Sequence, residues 1–136
     1  MSANINPIFP LVVACEPQTF AIADTTDMKI LFTGGTNGSR IDAISAISTD
    51  TVNQLFTLAL SNGTTNYGIG ELTVTANAGT NGTVKSLSLL TANNFPWLDS
   101  SGSIYIKSGW FLKAGIKTGS VTVDKLITIV CMGGDY

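Results

Sequence analysis

The stretch QLFTLALSNGTTNYGIGELTV, residues 54–74, decides the fold. Phe56, Leu58 and Leu60 alternate with Thr57 and Ala59, and Leu72 and Val74 alternate with Glu71 and Thr73. Successive side chains of a strand point to opposite faces, so a period of two marks a strand with one face on a core. Asn62-Gly63 separates the two runs, and Asn-Gly is favoured where two successive residues take positive φ in a hairpin turn. Two antiparallel strands joined by a short connection follow.

The same rhythm runs along the chain. MKILFTG sets Met28, Ile30 and Phe32 on one side, KSLSLL sets Leu87 and Leu89 opposite Ser86 and Ser88, and SIYIK sets Ile104 and Ile106 opposite Tyr105 and Lys107. In SVTVDKLITIVC, Val121 and Val123 and then Ile127 and Ile129 face inward, with a bulge or a turn at Asp124 and Lys125. Asn37-Gly38 and Asn81-Gly82 repeat the turn signal. RIDAISAIS spaces Ile41, Ile44 and Ile47 by three, which suits a short helix or a strand with one irregular residue; its β-branched isoleucines favour the strand. About eight short strands with no convincing helix predict an all-β, antiparallel, jelly-roll-like sandwich. It should occupy residues 11–136, behind an extended N-terminal arm over residues 1–10 whose prolines carry Ile8 and Phe9 towards a neighbouring chain.

Composition narrows the function. Charged residues make up 12% of the 136, about half the usual share, so part of the surface is expected to be hidden in an assembly. The net charge is −2 and the seven Lys/Arg residues are scattered, which argues against nucleic acid as a partner. No apolar run is long enough to span a membrane, and MSANINPIFP lacks the basic start and apolar core of a signal peptide.

The chain has no histidine, which removes the usual zinc sites and Ser-His or Cys-His catalysis. GGTNGSR has the wrong glycine spacing and no lysine for a phosphate loop, and YGIGELT lacks the third glycine of a dinucleotide fingerprint. The acids are dispersed, and Asp24 and Asp27 read as a solvated turn. No enzyme, cofactor or metal is expected. Cys15 and Cys131 read as small buried hydrophobes, with a bridge between terminal strands as the alternative. Arg40 and Asp42, two apart, share a face if their segment is a strand, as a subunit anchor or a surface pair. TANNFPWLDSSG, residues 91–102, puts Phe95 and Trp97 in a polar loop, either as a plug on the core or as rings offered to a partner.

The segment FTGGTNGSRIDAI, then GWFLKAG, then a closing GGDY resemble a family of small structural proteins of tailed bacteriophages, over Ile5 to Tyr136. KTGSVTVDKLITIV departs from the single strand-like run usual there. The resemblance implies a capsid decoration, or cement, protein on the outer surface of the major capsid protein lattice. It would be made in the host cytoplasm, located in the virion and trimeric. Its contacts would include Ile8, Phe9, Arg40, Asp42, Phe95 and Trp97. A tail, adaptor or fibre component is the alternative within the same particle. From another class, a carbohydrate-binding module could stack sugars on Trp97, Trp110, Tyr105 or Tyr67.

Overall fold

The computed structural model describes residues 10–136. Ile8 and Phe9, and most of the expected arm, lie outside the described residues. The described chain is all-β and contains nine strands: β1 (Val12–Phe20), β2 (Lys29–Thr33), β3 (Ser39–Ser48), β4 (Gln54–Ser61), β5 (Asn66–Val74), β6 (Leu87–Ser88), β7 (Ile104–Ile106), β8 (Phe111–Ile116) and β9 (Ile127–Asp135). One sheet runs β1-β9-β3-β6, with β7 also on β3, and the other runs β2-β8-β4-β5; every pairing is antiparallel.

This order pairs first with last, second with second-to-last, and so inward to β4 with β5, which is the jelly-roll arrangement of a long antiparallel hairpin folded over on itself. Strands β6 and β7 lie on the same edge of β3, opposite Ser45–Ala46 and Ser39–Ile41. They are two pieces of one edge strand, interrupted by the Phe95/Trp97 loop, so eight strand positions are filled. The apolar faces meet in a core around Phe20, Phe32, Phe56 and Phe95, and Phe20 meets Phe56 edge-on at 4.9 Å.

Bulges explain where simple alternation misplaces side chains. The β3–β9 register steps from Ile41 opposite Gly133 to Ala43 opposite Met132, so Asp42 is the extra residue. The three-residue spacing of Ile41 and Ile44 is therefore a bulge within a strand; both are buried, whereas Ile47 is outside and exposed. In β2 a shift between Ile30 and Phe32 buries Leu31 beside Phe32 and turns Ile30 outward, against the expected Met28, Ile30, Phe32 face. Val121 is buried but Val123 is exposed, because β9 starts only at Ile127 and Asp124 takes φ 61°, which makes the Asp124–Lys125 irregularity a turn.

In the Asn-Gly pairs only the glycines take positive φ, at 84° for Gly38, 95° for Gly63 and 77° for Gly82. The asparagines act through their side chains instead. Asn62 Oδ1 accepts the N–H groups of Thr64 and Thr65, and Asn81 Oδ1 those of Thr83 and Val84. The two cysteines are free: Cys15 is exposed, and Cys131 is in the core. Cys15 lies opposite Met132 and Glu16 opposite Cys131, so the thiols point to opposite faces and cannot bridge.

Candidate functional site

The turn before β3 and the end of β9 fold into each other. Ser39 begins β3 opposite Asp135, and its hydroxyl donates to Asp135 Oδ1 while accepting the Gly35 N–H at 2.7 Å. Gly38 O accepts the Tyr136 N–H at 3.1 Å, and the Asn37 amide donates to Tyr136 O at 3.3 Å. Glycine is needed here for close approach. A Cβ on Gly133 would lie 1.8 Å from Arg40 O, and one on Gly134 would lie 2.3 Å from Pro10 Cβ. The segments TGGTNGSRI and GGDY, nearly a hundred residues apart in sequence, are thus one interlocked structure.

Arg40 and Asp42 flank this junction. Arg40 Nε stands 2.9 Å from Asp42 Oδ1, off the alignment of a hydrogen bond. The pair is partly exposed, and such pairs contribute about 0–1 kcal/mol. Asp42 Oδ1 also accepts the Ser103 hydroxyl at 2.6 Å. Asp99 accepts the Tyr105 hydroxyl at Oδ2 and the Ser101 and Ser103 N–H groups at Oδ1. The Tyr105 bond, then the Ser103 N–H, hold the Asp99 carboxyl below the usual range, and the same hydrogen bond pushes the Tyr105 phenol up.

These bonds pin the far end of the loop that carries Phe95 and Trp97. Phe95 is fully buried, as a plug, while Trp97 is 46% exposed and packs edge-on against it at 5.7 Å and 79°. The loop therefore divides the two roles between its rings. Arg40, Asp42 and the aromatic loop belong to one end of one sheet. Of the other aromatics, Tyr67 stacks on Trp110 at 5.9 Å, and Tyr105 is bound to Asp99 of the Trp97 loop.

Alongside Arg40 and Asp42 lies a cleft of about 270 Å³, bounded by Pro10 to Val13 and by Gly133 and Gly134. It opens beside the outer face of the β1-β9-β3 sheet. By register, Cys15, Met132 and Ala43 form one outward row; Pro17, Val130 and Ser45 form the next; Thr19, Thr128 and Ile47 form the third. None of these is charged. The outer face of the other sheet carries Lys113, and Glu71 paired with Lys117. Leu11, just before β1, and Val13, on its outward face, are more than 80% exposed.

Sequence reasoning missed Asp50. It is fully buried between β3 and β4 and accepts the Val52 N–H, the Gln54 amide, and both the N–H and the hydroxyl of Thr122. Burial alone would push its carboxyl up, but these donors outweigh it and hold the pKa at about 2. Every strong contact is satisfied within the fold, which makes Asp50 a structural anchor. Asp24 likewise closes its own turn, accepting the Ala21 N–H at 2.8 Å and pairing with Lys29 at 3.1 Å.

Among the described residues no group of three His, Cys, Asp or Glu side chains is gathered where it could hold a metal ion. No helix among them is long and apolar enough to cross a membrane. No protein-family model matches the chain, and no curated protein matches it.

Proposed function

We propose that the chain is a structural virion protein of a tailed bacteriophage, a decoration or cement protein that binds the outer surface of the major capsid protein lattice and stabilises the head. The observation that carries this reading is the junction of TGGTNGSRI with GGDY. Two of the three segments through which the sequence resembles that phage family, TGGTNGSRI and GGDY, occupy one interlocked site, beside Arg40, Asp42 and the Phe95/Trp97 loop. The jelly roll is an architecture of capsid and lectin domains, which is support by analogy of fold. An uncharged sheet face also suits a protein that works by burial against neighbours.

A cement protein binds the assembled lattice and so shifts the assembly equilibrium towards it. Repeated weak contacts from a trimer would add through avidity. The test is direct. Purified protein is mixed with expanded heads that lack it, and bound protein and head survival are measured on heating and at low ionic strength. Binding at many sites per head with raised thermal survival supports the reading. Absence of binding, together with equal survival of bare heads, ends it. Labelled protein found only at one vertex assigns it to the tail or its adaptor instead.

A further inference from the structure

We propose that Asn81 is a self-modification site: the Gly82 nitrogen attacks the Asn81 side chain, ammonia leaves, and water opens the resulting ring to aspartate or isoaspartate. This chemistry is independent of the virion reading.

The chain carries three Asn-Gly pairs, and two of them stand in the same local sequence, Asn62-Gly63-Thr64 and Asn81-Gly82-Thr83. Their asparagines are held alike. Asn62 Oδ1 accepts the Thr64 N–H at 2.9 Å and the Thr65 N–H at 2.8 Å, and Asn81 Oδ1 accepts the Thr83 and Val84 N–H groups at the same distances. Both glycines are exposed and take positive φ. The two pairs differ in one bond. The Gly63 N–H donates to the hydroxyl of buried Ser61 at 3.1 Å, whereas the Gly82 N–H has no hydrogen-bond partner among the described residues. The third pair is held on both sides. The Gly38 N–H donates to Gly35 O at 3.0 Å, and the Asn37 amide, which would be the leaving group, donates to Tyr136 O at 3.3 Å.

These differences bear on the reaction directly. The Gly82 nitrogen must give up its proton before it attacks, and no protein acceptor holds that proton. A Cβ on Gly82 would meet no atom within 4 Å beyond its chain neighbours, so the nitrogen is open to solvent. At Asn81, the Thr83 and Val84 N–H groups already point at Oδ1, where negative charge develops as the tetrahedral intermediate forms, and preorganised donors at such an oxygen lower the barrier. The turn itself is fixed, because the Gly79 N–H donates to Val84 O at 2.9 Å and the Thr80 hydroxyl to Ser48 O at 2.6 Å. The bond from Gly82 N to Asn81 Cγ forms and the Cγ–Nδ2 bond breaks. The proton lost from Gly82 is balanced by the one that Nδ2 takes from solvent as it leaves as ammonia. Water then adds to either ring carbonyl, and nothing is oxidised or reduced. Each event adds one negative charge to a chain of net charge −2.

The folded chain is incubated in mildly alkaline buffer, and peptide mapping follows aspartate and isoaspartate at positions 37, 62 and 81, beside the same chain in denaturant. The proposal expects Asn81 to convert at least about fivefold faster than Asn62 in the folded chain, the ratio set by one hydrogen bond of ordinary strength, with Asn37 slowest. In denaturant Asn62 and Asn81 should convert at the same rate, because only the fold separates them. Ser61→Ala is the reciprocal test. It removes the acceptor of the Gly63 N–H, so Asn62 should rise towards the Asn81 rate while Asn81 and Asn37 keep theirs. Equal rates at Asn62 and Asn81 in the folded parent overturn the proposal, as does conversion of Asn62 or Asn37 ahead of Asn81. An unchanged Asn62 in folded Ser61→Ala also overturns it. Should that variant unfold, seen as faster conversion at all three positions, the ratio in the parent chain decides.

Discussion

Thr122 gives both of its donors to Asp50, the backbone N–H at 3.0 Å to Oδ2 and the hydroxyl at 2.8 Å to Oδ1, and so ties the loop before β9 to the turn before β4. Removing the carboxylate strands these donors in a buried site. Asp50→Ala is expected to cost about 3 kcal/mol, read as a lower denaturant midpoint. Thr122→Val should cost less, because the N–H to Oδ2 bond remains.

The same carboxylate sets an acid limit. Its folded pKa of about 2 is depressed below the usual 3.8, so its contribution is present above the unfolded value and is lost as pH falls from about 5 towards 2. The depression corresponds to about 2 kcal/mol. Glu16 pulls the other way. Burial raises its pKa, with the Asp135 charge adding to the rise, so its contribution favours the acid side and is lost as pH rises. Denaturation between pH 2 and 6 should give a steep loss of stability in the parent and a flatter one in Asp50→Asn. Equal slopes would remove Asp50 from the account.

Gly133→Ala places a methyl within 1.8 Å of Arg40 O, at the bulge where β9 meets β3. Backbone on both sides must move, at a cost of about 3 kcal/mol. Gly82→Ala meets no atom within 4 Å and strains only its positive φ, so it should cost about 1 kcal/mol. Thermal melts of the two variants rank them.

Within the aromatic loop, Phe95→Ala empties a fully buried site and should cost about 3–5 kcal/mol. Trp97→Ala should cost about 1 kcal/mol or less, since half of its ring already faces solvent. If the proposed capsid role holds, Trp97→Ala weakens head binding while its melting temperature stays near that of the parent.

Cys131 is shielded twice over. Burial pushes its thiol pKa up to about 12, with Glu16 adding to the rise, and the side chain sits in the core. It should be modified only as fast as the protein unfolds, so a Cys15→Ser variant reports the unfolding rate by mass spectrometry. Modification without unfolding would contradict its placement.

Alternation made the sandwich legible wherever a strand keeps its register: Leu72 with Val74, Ile104 with Ile106 and Ile127 with Ile129 all turn inward as the sequence implies. It failed where a bulge shifts parity, as at Leu31 and Asp42, because an extra residue leaves no mark in composition. Asp50 was hidden for a different reason. Its decisive partner is 72 residues away, and nothing in TDTVNQ distinguishes a buried acid from a solvated one. The uncharged outer face was half visible: Val130 and Met132 break the apolar-polar pattern of β9, a signal that one parity alone cannot account for all the apolar residues of that strand.

The register of β1 on β9 has a mechanical meaning as well. Val12 lies opposite Asp135 and Leu11 donates to Asp135 O, so tension applied between residues 11 and 135 would open the sheet one rung at a time, like a zip. Load entering between residue 11 and the β9 end at Ile127 would instead pull all nine rungs in shear. The protein should therefore be soft to force along one axis and stiff along another.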